Sequence, residues 1–254
     1  ASARLASCSI MRGQFDGAQQ PRLAAAPRAI RETLLFPYLS GFSMCARLLH
    51  GGDGYGPIDA LLARPPESTE QVLHAEKLSA RELPIDVAAT LPEPLADGWA
   101  VAYDDVMGEL NARFFFEDAL SVPQAESAAG GWGGDRAVLL VPRGAVHPSD
   151  GGAAVAAEGL AQSALVWTVA MDEGPAGHPD AQSVEFSGRA TTVLAHRYAT
   201  ATVTTVAGAL AARTVAPGRV SLVARAGRRV LVADRLPAER AARVVAWFTA
   251  QSGP

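Results

Sequence analysis

Lysine is almost missing from this chain of 254 residues: Lys77 stands alone, and arginine carries nearly all the positive charge. Together with the abundance of alanine, this bias reads as genome composition. The formal net charge is −4, so there is no basic excess of the kind that draws a protein to nucleic acid or an anionic membrane. No run of about 18 apolar residues occurs, which excludes a helical membrane span. Cysteine occurs only at Cys8 and Cys45, without disulfide or metal spacing. Whether the two pair stays open, and a free buried thiol at Cys45 fits the apolar pattern around it. Histidines 50, 74, 147, 178 and 196 are scattered. No two stand four apart on one helix, and His-Glu-x-x-His does not occur. Gly-x-Ser-x-Gly is also absent. Gly52-Asp53-Gly54-Tyr55-Gly56 follows a helix and lacks the Lys-Ser/Thr of a phosphate loop, so it reads as a turn.

What is present describes a globular protein in two parts. The hydrophobic fraction is 49% and the charged fraction 19%, ordinary values for a chain that builds a core. Residues 1–27 read as a loose arm. A helix is expected over 29–36. A second is expected to start at Pro37 and bury Tyr38, Phe42, Cys45 and Leu49 before Gly51-Gly52 end it. Pro57 opens a short helix closed by Pro65-Pro66. Ser68 and Gln71 form a capping box for the next, with Glu70 near its positive end. Three prolines between Pro84 and Pro94 mark an extended linker. The expected organisation is therefore a helical segment over 1–95 and an α+β domain over 96–254.

In the second part, 98–102 reads as a strand, and Asp104 or Asp105 is expected to cap a helix carrying Val106, Leu110 and Phe114. A short helix over 124–129 runs into Gly130-Gly131-Trp132-Gly133-Gly134-Asp135-Arg136 and an apolar strand, 137–141. Residues 144–162 read as a mobile loop. The 164–171 stretch is apolar on both faces and is expected to lie centrally in the sheet. A helix over 181–198, a hairpin joining 220–224 to 229–233, and a closing helix over 237–250 complete an α+β layer structure with a mainly antiparallel sheet.

Few residues invite a chemical role. Glu70 and His74 are four apart and would share a helix face, which suits two metal ligands. A capped helix with a hydrogen-bonded histidine is the commoner reason for such a pair, since zinc takes three or four ligands. Asp104, Asp105 and Glu109 suggest an acid pair, although acids crowded at a helix start serve its dipole. Trp132 among glycines is either a rigid corner over the core or a stacking platform for a ligand. Asp135 and Arg136 point to opposite sides of an extended chain and read as separate anchors. No residue is identified as catalytic or as a complete metal site.

The run Leu34-Leu35-Phe36-Pro37-Tyr38-Leu39-x-Gly41, then Gly51-Gly52, then Arg64-Pro65-Pro66-x-Ser68-Thr69-Glu70-Gln71-Val72-Leu73-His74-x-Glu76-Lys77 resembles a block in a family of exported bacterial and archaeal proteins. These are described as zinc metallopeptidase-like, and Gly130–Arg136 resembles a second block of the same family. The resemblance spans residues of about 27–80 and 98–172. It implies a zinc-binding His-Glu-x-x-His helix upstream and a secreted, cell-envelope or periplasmic location. That helix is absent from these 254 residues, so zinc is expected only in a longer form. The chain starts without Met and is expected to be processed or truncated.

Three functional readings follow. The chain is the non-catalytic C-terminal portion of such a protein, backing a zinc domain and contacting a peptide substrate, a protein partner or an upstream segment. This reading expects exposed apolar surface on the helices of 28–50. Alternatively it is a self-contained binding or structural module of the envelope, with a closed core. A third reading, a hydrolase assembled from Glu70, His74 and acids of the second part, requires several coincidences.

Overall fold

The computed structural model describes residues 21–51, 54–88, 92–149, 152–155 and 157–252. Two compact units divide between Pro84 and Ile85, so the second unit takes in most of the proline-rich linker. Most of the expected arm, including Cys8, and Gly52 of the expected glycine cap lie outside the described residues.

The first unit is helical. It runs α1 (Pro21–Ala25), α2 (Arg28–Leu49), α3 (Gly56–Ala63), α4 (Thr69–Leu73) and α5 (Ala75–Ala80). The break expected at Pro37 does not occur, and Pro37 lies inside the 22-residue α2. A proline removes one main-chain bond, to the Thr33 carbonyl, and the turns on either side carry the helix through. The expected buried stripe is also corrected. Leu35 and Met44 are the buried residues of α2, while Tyr38, Phe42 and Leu49 are exposed. Apolar residues populate two sides of this helix, and only the side carrying Met44, Cys45 and Leu48 meets Leu61, Val72 and Leu78. Cys45 is free and half-buried rather than buried.

α4 begins as its sequence dictates, with the Ser68 hydroxyl accepting the Gln71 N–H at 3.2 Å. The return bond differs from a standard capping box. The Gln71 side-chain oxygen accepts from the Glu67 N–H at 3.0 Å, and its amide donates to the Glu82 carbonyl at 2.6 Å.

The second unit is an α+β fold. Its order is α6 (Glu93–Ala96), β1 (Trp99–Asp105), α7 (Gly108–Phe116), α8 (Val122–Ala129), β2 (Trp132–Pro142), a 3-10 turn, β3 (Val146–Ser149), β4 (Gly152–Val155) and α9 (Ala157–Ala161). Then follow β5 (Ala164–Met171), α10 (Ala181–Arg197), β6 (Thr202–Thr204), β7 (Ala209–Ala216), β8 (Arg219–Ala226), β9 (Arg229–Pro237) and α11 (Ala238–Gln251). Seven strands form one sheet in the order β1-β2-β5-β9-β8-β7-β6, every adjacent pair antiparallel. β3 and β4 form a separate hairpin where a mobile loop was expected.

Helices cover both faces of the sheet, which is why β5 is apolar on both sides. Val166, Leu140, Leu222 and Leu231 pack with Val244, Val245 and Phe248 of α11. Trp167, Val169, Val223 and Val232 pack with Phe116 of α7 and with Phe186 and Val193 of α10. α11 buries Ala241, Val244, Val245 and Phe248, the face its spacing specifies. In α10, Val184 is exposed and Ser183 and Ser187 are buried instead. Both serines satisfy their hydroxyls on main-chain carbonyls, so polarity alone mislabels this face.

Candidate functional site

The glycine-tryptophan segment forms the entry to β2. Ile85 donates its N–H to the Gly133 carbonyl at 2.7 Å. A Cβ placed on Gly134 would lie 2.0 Å from the Ile85 carbonyl oxygen, and one on Gly133 would lie 2.6 Å from an Asp172 carboxylate oxygen. The glycines therefore let the segment after Pro84 lie directly on the strand. Trp132 is 1% exposed, so its ring is a core element and offers no open stacking surface.

Asp135 is also buried. Its carboxylate accepts the main-chain N–H groups of Met107 and Gly108, each at 3.1 Å, and the Trp167 indole N–H at 2.5 Å. Burial pushes the Asp135 carboxyl above the usual carboxylate range, while the Trp167 indole, these two amides and the Trp132 indole pull it back. Trp167 is held for this task by edge-to-face contacts with Phe115 at 5.3 Å and Phe186 at 5.8 Å. A carboxylate surrounded by donors and sealed from solvent is a structural anchor rather than a base. It also replaces the expected cap of α7. Asp104 and Asp105 are residues of β1, and the carboxylate at the helix start comes from β2.

Arg136 takes the other side of the strand. Its Nη2 donates to Asp104 Oδ2 at 2.8 Å and its Nε to Oδ1, a two-pronged pair across β1 and β2. Asp105 accepts from the Tyr103 hydroxyl at 2.5 Å and the Val106 N–H at 2.8 Å. Those two bonds hold its carboxyl below the ordinary range. Glu109 is buried inside α7. Asp104 and Asp135 thus fasten β1 and α7 to β2, while the bonds of Asp105 stay within its own segment.

In the first unit, Glu70 and His74 stand at opposite ends of the single turn of α4. The His74 N–H donates to the Glu70 carbonyl at 2.8 Å. Their side chains take different charged partners. Glu70 is buried with Lys77 Nζ at 3.3 Å, and Lys77 also pairs with Glu82. His74 Nδ1 lies 3.7 Å from Glu76. The lone lysine of the chain therefore sits between two carboxylates, a grouping that spacing did not reveal because Glu82 lies beyond α5.

A second polar cluster escaped the sequence reading. Asp234 accepts from the Tyr198 hydroxyl at 2.6 Å and from the Ser221 hydroxyl, which in turn accepts the Arg235 N–H at 3.0 Å. Arg235 is left-handed, with φ 57°, at a register shift between β8 and β9. Burial, then the Asp234 contact, pushes the Tyr198 hydroxyl upward. Tyr198 is 36 residues from Asp234 in sequence, so no local signal joins them.

The surface of α2 is the last feature. Ile30, Leu34, Tyr38 and Phe42 are 55%, 57%, 60% and 46% exposed. They follow one another at intervals of four and so lie along one side of the helix. No family model, no curated protein and no solved structure matches the chain.

Proposed function

We propose that this chain is the non-catalytic support portion of an exported metallopeptidase-like protein, in which α2 backs a zinc-binding segment and the α+β unit contacts substrate or partner. The observation that carries the reading is the apolar stripe Ile30–Leu34–Tyr38–Phe42 on α2. Contiguous apolar surface of this kind is uncommon on a monomer and marks a face that another element covers. The first unit's own core is thin, with Met44, Leu61 and Leu78 as its buried cluster.

The candidate residues agree with a supporting role. Trp132 and Asp135 are buried in the core, Arg136 is engaged with Asp104, and Glu70 is paired with Lys77. Among the described residues, no helix is long and apolar enough to cross a membrane. Secretion or envelope residence and the peptidase kinship rest on the resemblance of the two sequence blocks.

The test is to isolate the protein from its source with an antibody against residues 98–252, then measure polypeptide mass and bound zinc. This reading expects additional polypeptide, continuous or associated, and about one zinc per complex. A companionless chain of these 254 residues without zinc would overturn it.

A further inference from the structure

One pocket of the second unit has its polar groups already committed. It is lined by Phe115, Arg197, Tyr198 and Asp234. Arg197 pairs with Asp118, and Tyr198 with Asp234. A second pocket differs. Thr168 of β5, Arg229 at the start of β9 and Gln251 at the end of α11 supply its polar lining, and Val87, Trp247 and Phe248 its apolar wall. The register explains why these residues meet. Thr168 lies opposite Leu231, and Ala170 opposite Arg229, which puts Thr168 and Arg229 on the face that α11 covers.

Arg229 is half-buried, and among the described residues no carboxylate or carbonyl accepts from its guanidinium. Other arginines of this unit are tied down: Arg136 to Asp104, Arg143 to the Ala96 carbonyl, Arg219 to the Arg235 carbonyl, and Arg240 to the Asp97 carbonyl. The Thr168 hydroxyl, the Trp247 indole and the Gln251 amide likewise have no hydrogen-bond partner among the described residues. Gln251 is exposed at the rim while Thr168, Arg229 and Trp247 are half-buried, and polar groups beside an aromatic wall are the make-up of small-molecule sites. The pocket is a small cleft, open to solvent on one side, of about 30 Å³, room for two water-sized atoms at roughly 10–15 Å³ each. Two oxygens on one carbon fit that volume, and a guanidinium is the side chain best shaped to receive them.

We propose that this pocket binds the carboxylate of a small ligand that carries a short apolar group, with Arg229 receiving the carboxylate and Trp247 and Phe248 packing the apolar part. The carboxylate is either a peptide C-terminus or a free small acid. The site stands independently of the metallopeptidase reading. Arg229 also lies beside the last turn of α11, where a cation favours the helix end. That role needs neither the aromatic wall nor the additional donors.

The test follows the Trp247 indole and Val87 amide signals of ¹⁵N-labelled protein by NMR. Trialanine, trialanine amide, N-acetylalanine and sulfate are titrated at constant ionic strength. Saturable shifts are expected with trialanine and N-acetylalanine and not with the amide. Binding should weaken about tenfold or more in Arg229→Gln, the loss of a charge-assisted bond, and less in Arg229→Lys. Tighter binding of trialanine assigns the site to peptide ends, and tighter binding of N-acetylalanine to free acids; either sustains it. Equal shifts with the amide or with sulfate overturn the proposal. So do unchanged binding in Arg229→Gln, or a variant that only lowers the unfolding temperature while wild type responds to no carboxylate.

Discussion

Asp135 accepts the main-chain N–H of Gly108 from 27 residues further along the chain, so the helix α7 is capped by the strand that follows it and not by the acids that precede it. A cap of this kind joins local structure to tertiary structure, because α7 gains its N-terminal partner only once β2 is in place.

Asp135→Ala should destabilise the second unit by about 2–4 kcal/mol, since it strands the two α7 amides and the Trp167 indole in the core. Asp135→Asn should cost less, because its carbonyl oxygen still accepts from the amides. Urea unfolding followed by tryptophan fluorescence measures both.

The pH dependence has a definite sign. The folded Asp135 carboxyl titrates above its ordinary value because burial disfavours the charge. Its contribution is therefore fully present below the unfolded pKa of about 3.9 and is lost as pH rises through the folded value. The stability of wild type relative to Asp135→Asn should fall over that interval. A difference that rises with pH there would reverse the assignment of burial as the dominant effect.

Gly134→Ala should be severely destabilising, about 3 kcal/mol or more, because its Cβ would lie 2.0 Å from the Ile85 carbonyl oxygen and main chain cannot swing aside. Gly188→Ala is the matched control. Gly188 lies inside α10 and its Cβ would meet nothing within 4 Å. That change should stabilise by roughly 0.5–1 kcal/mol through helix propensity.

Tyr103→Phe should raise the Asp105 pKa towards the ordinary carboxylate value, as the Tyr103 hydroxyl is the largest influence holding it down. An NMR titration of the Asp105 carboxyl carbon measures this directly. No change on substitution would remove the hydroxyl from the account.

Where one periodicity decided the outcome, the sequence was legible. α11 buries the four residues its spacing selects, β5 is apolar on both faces because helices cover both, and Ser68 caps α4 through Gln71. Legibility failed where two answers satisfied the same pattern. α2 carries apolar residues on two sides, and composition does not say which meets Leu61 and Leu78. Asp105 precedes a helix as a cap would, yet β1 extends through it because its register with β2 reaches Ala137. The candidate residues Trp132, Asp135 and Arg136 were visible as unusual. Their partners were not, because Gly108, Trp167 and Asp104 are remote in sequence and meet them only once β1, β5 and the start of α7 are packed against β2. The Tyr198–Asp234–Ser221 cluster left no local trace for the same reason.

The most direct measurement is carbene footprinting of α2, read by mass spectrometry at Leu34, Tyr38 and Phe42, on the 254-residue chain and on the protein isolated from its source. The account predicts strong labelling of these three residues in the 254-residue chain and protection in the isolated protein, where another segment covers the stripe. Equal labelling in both would contradict it, and the stripe would then be ordinary surface on a module complete in itself.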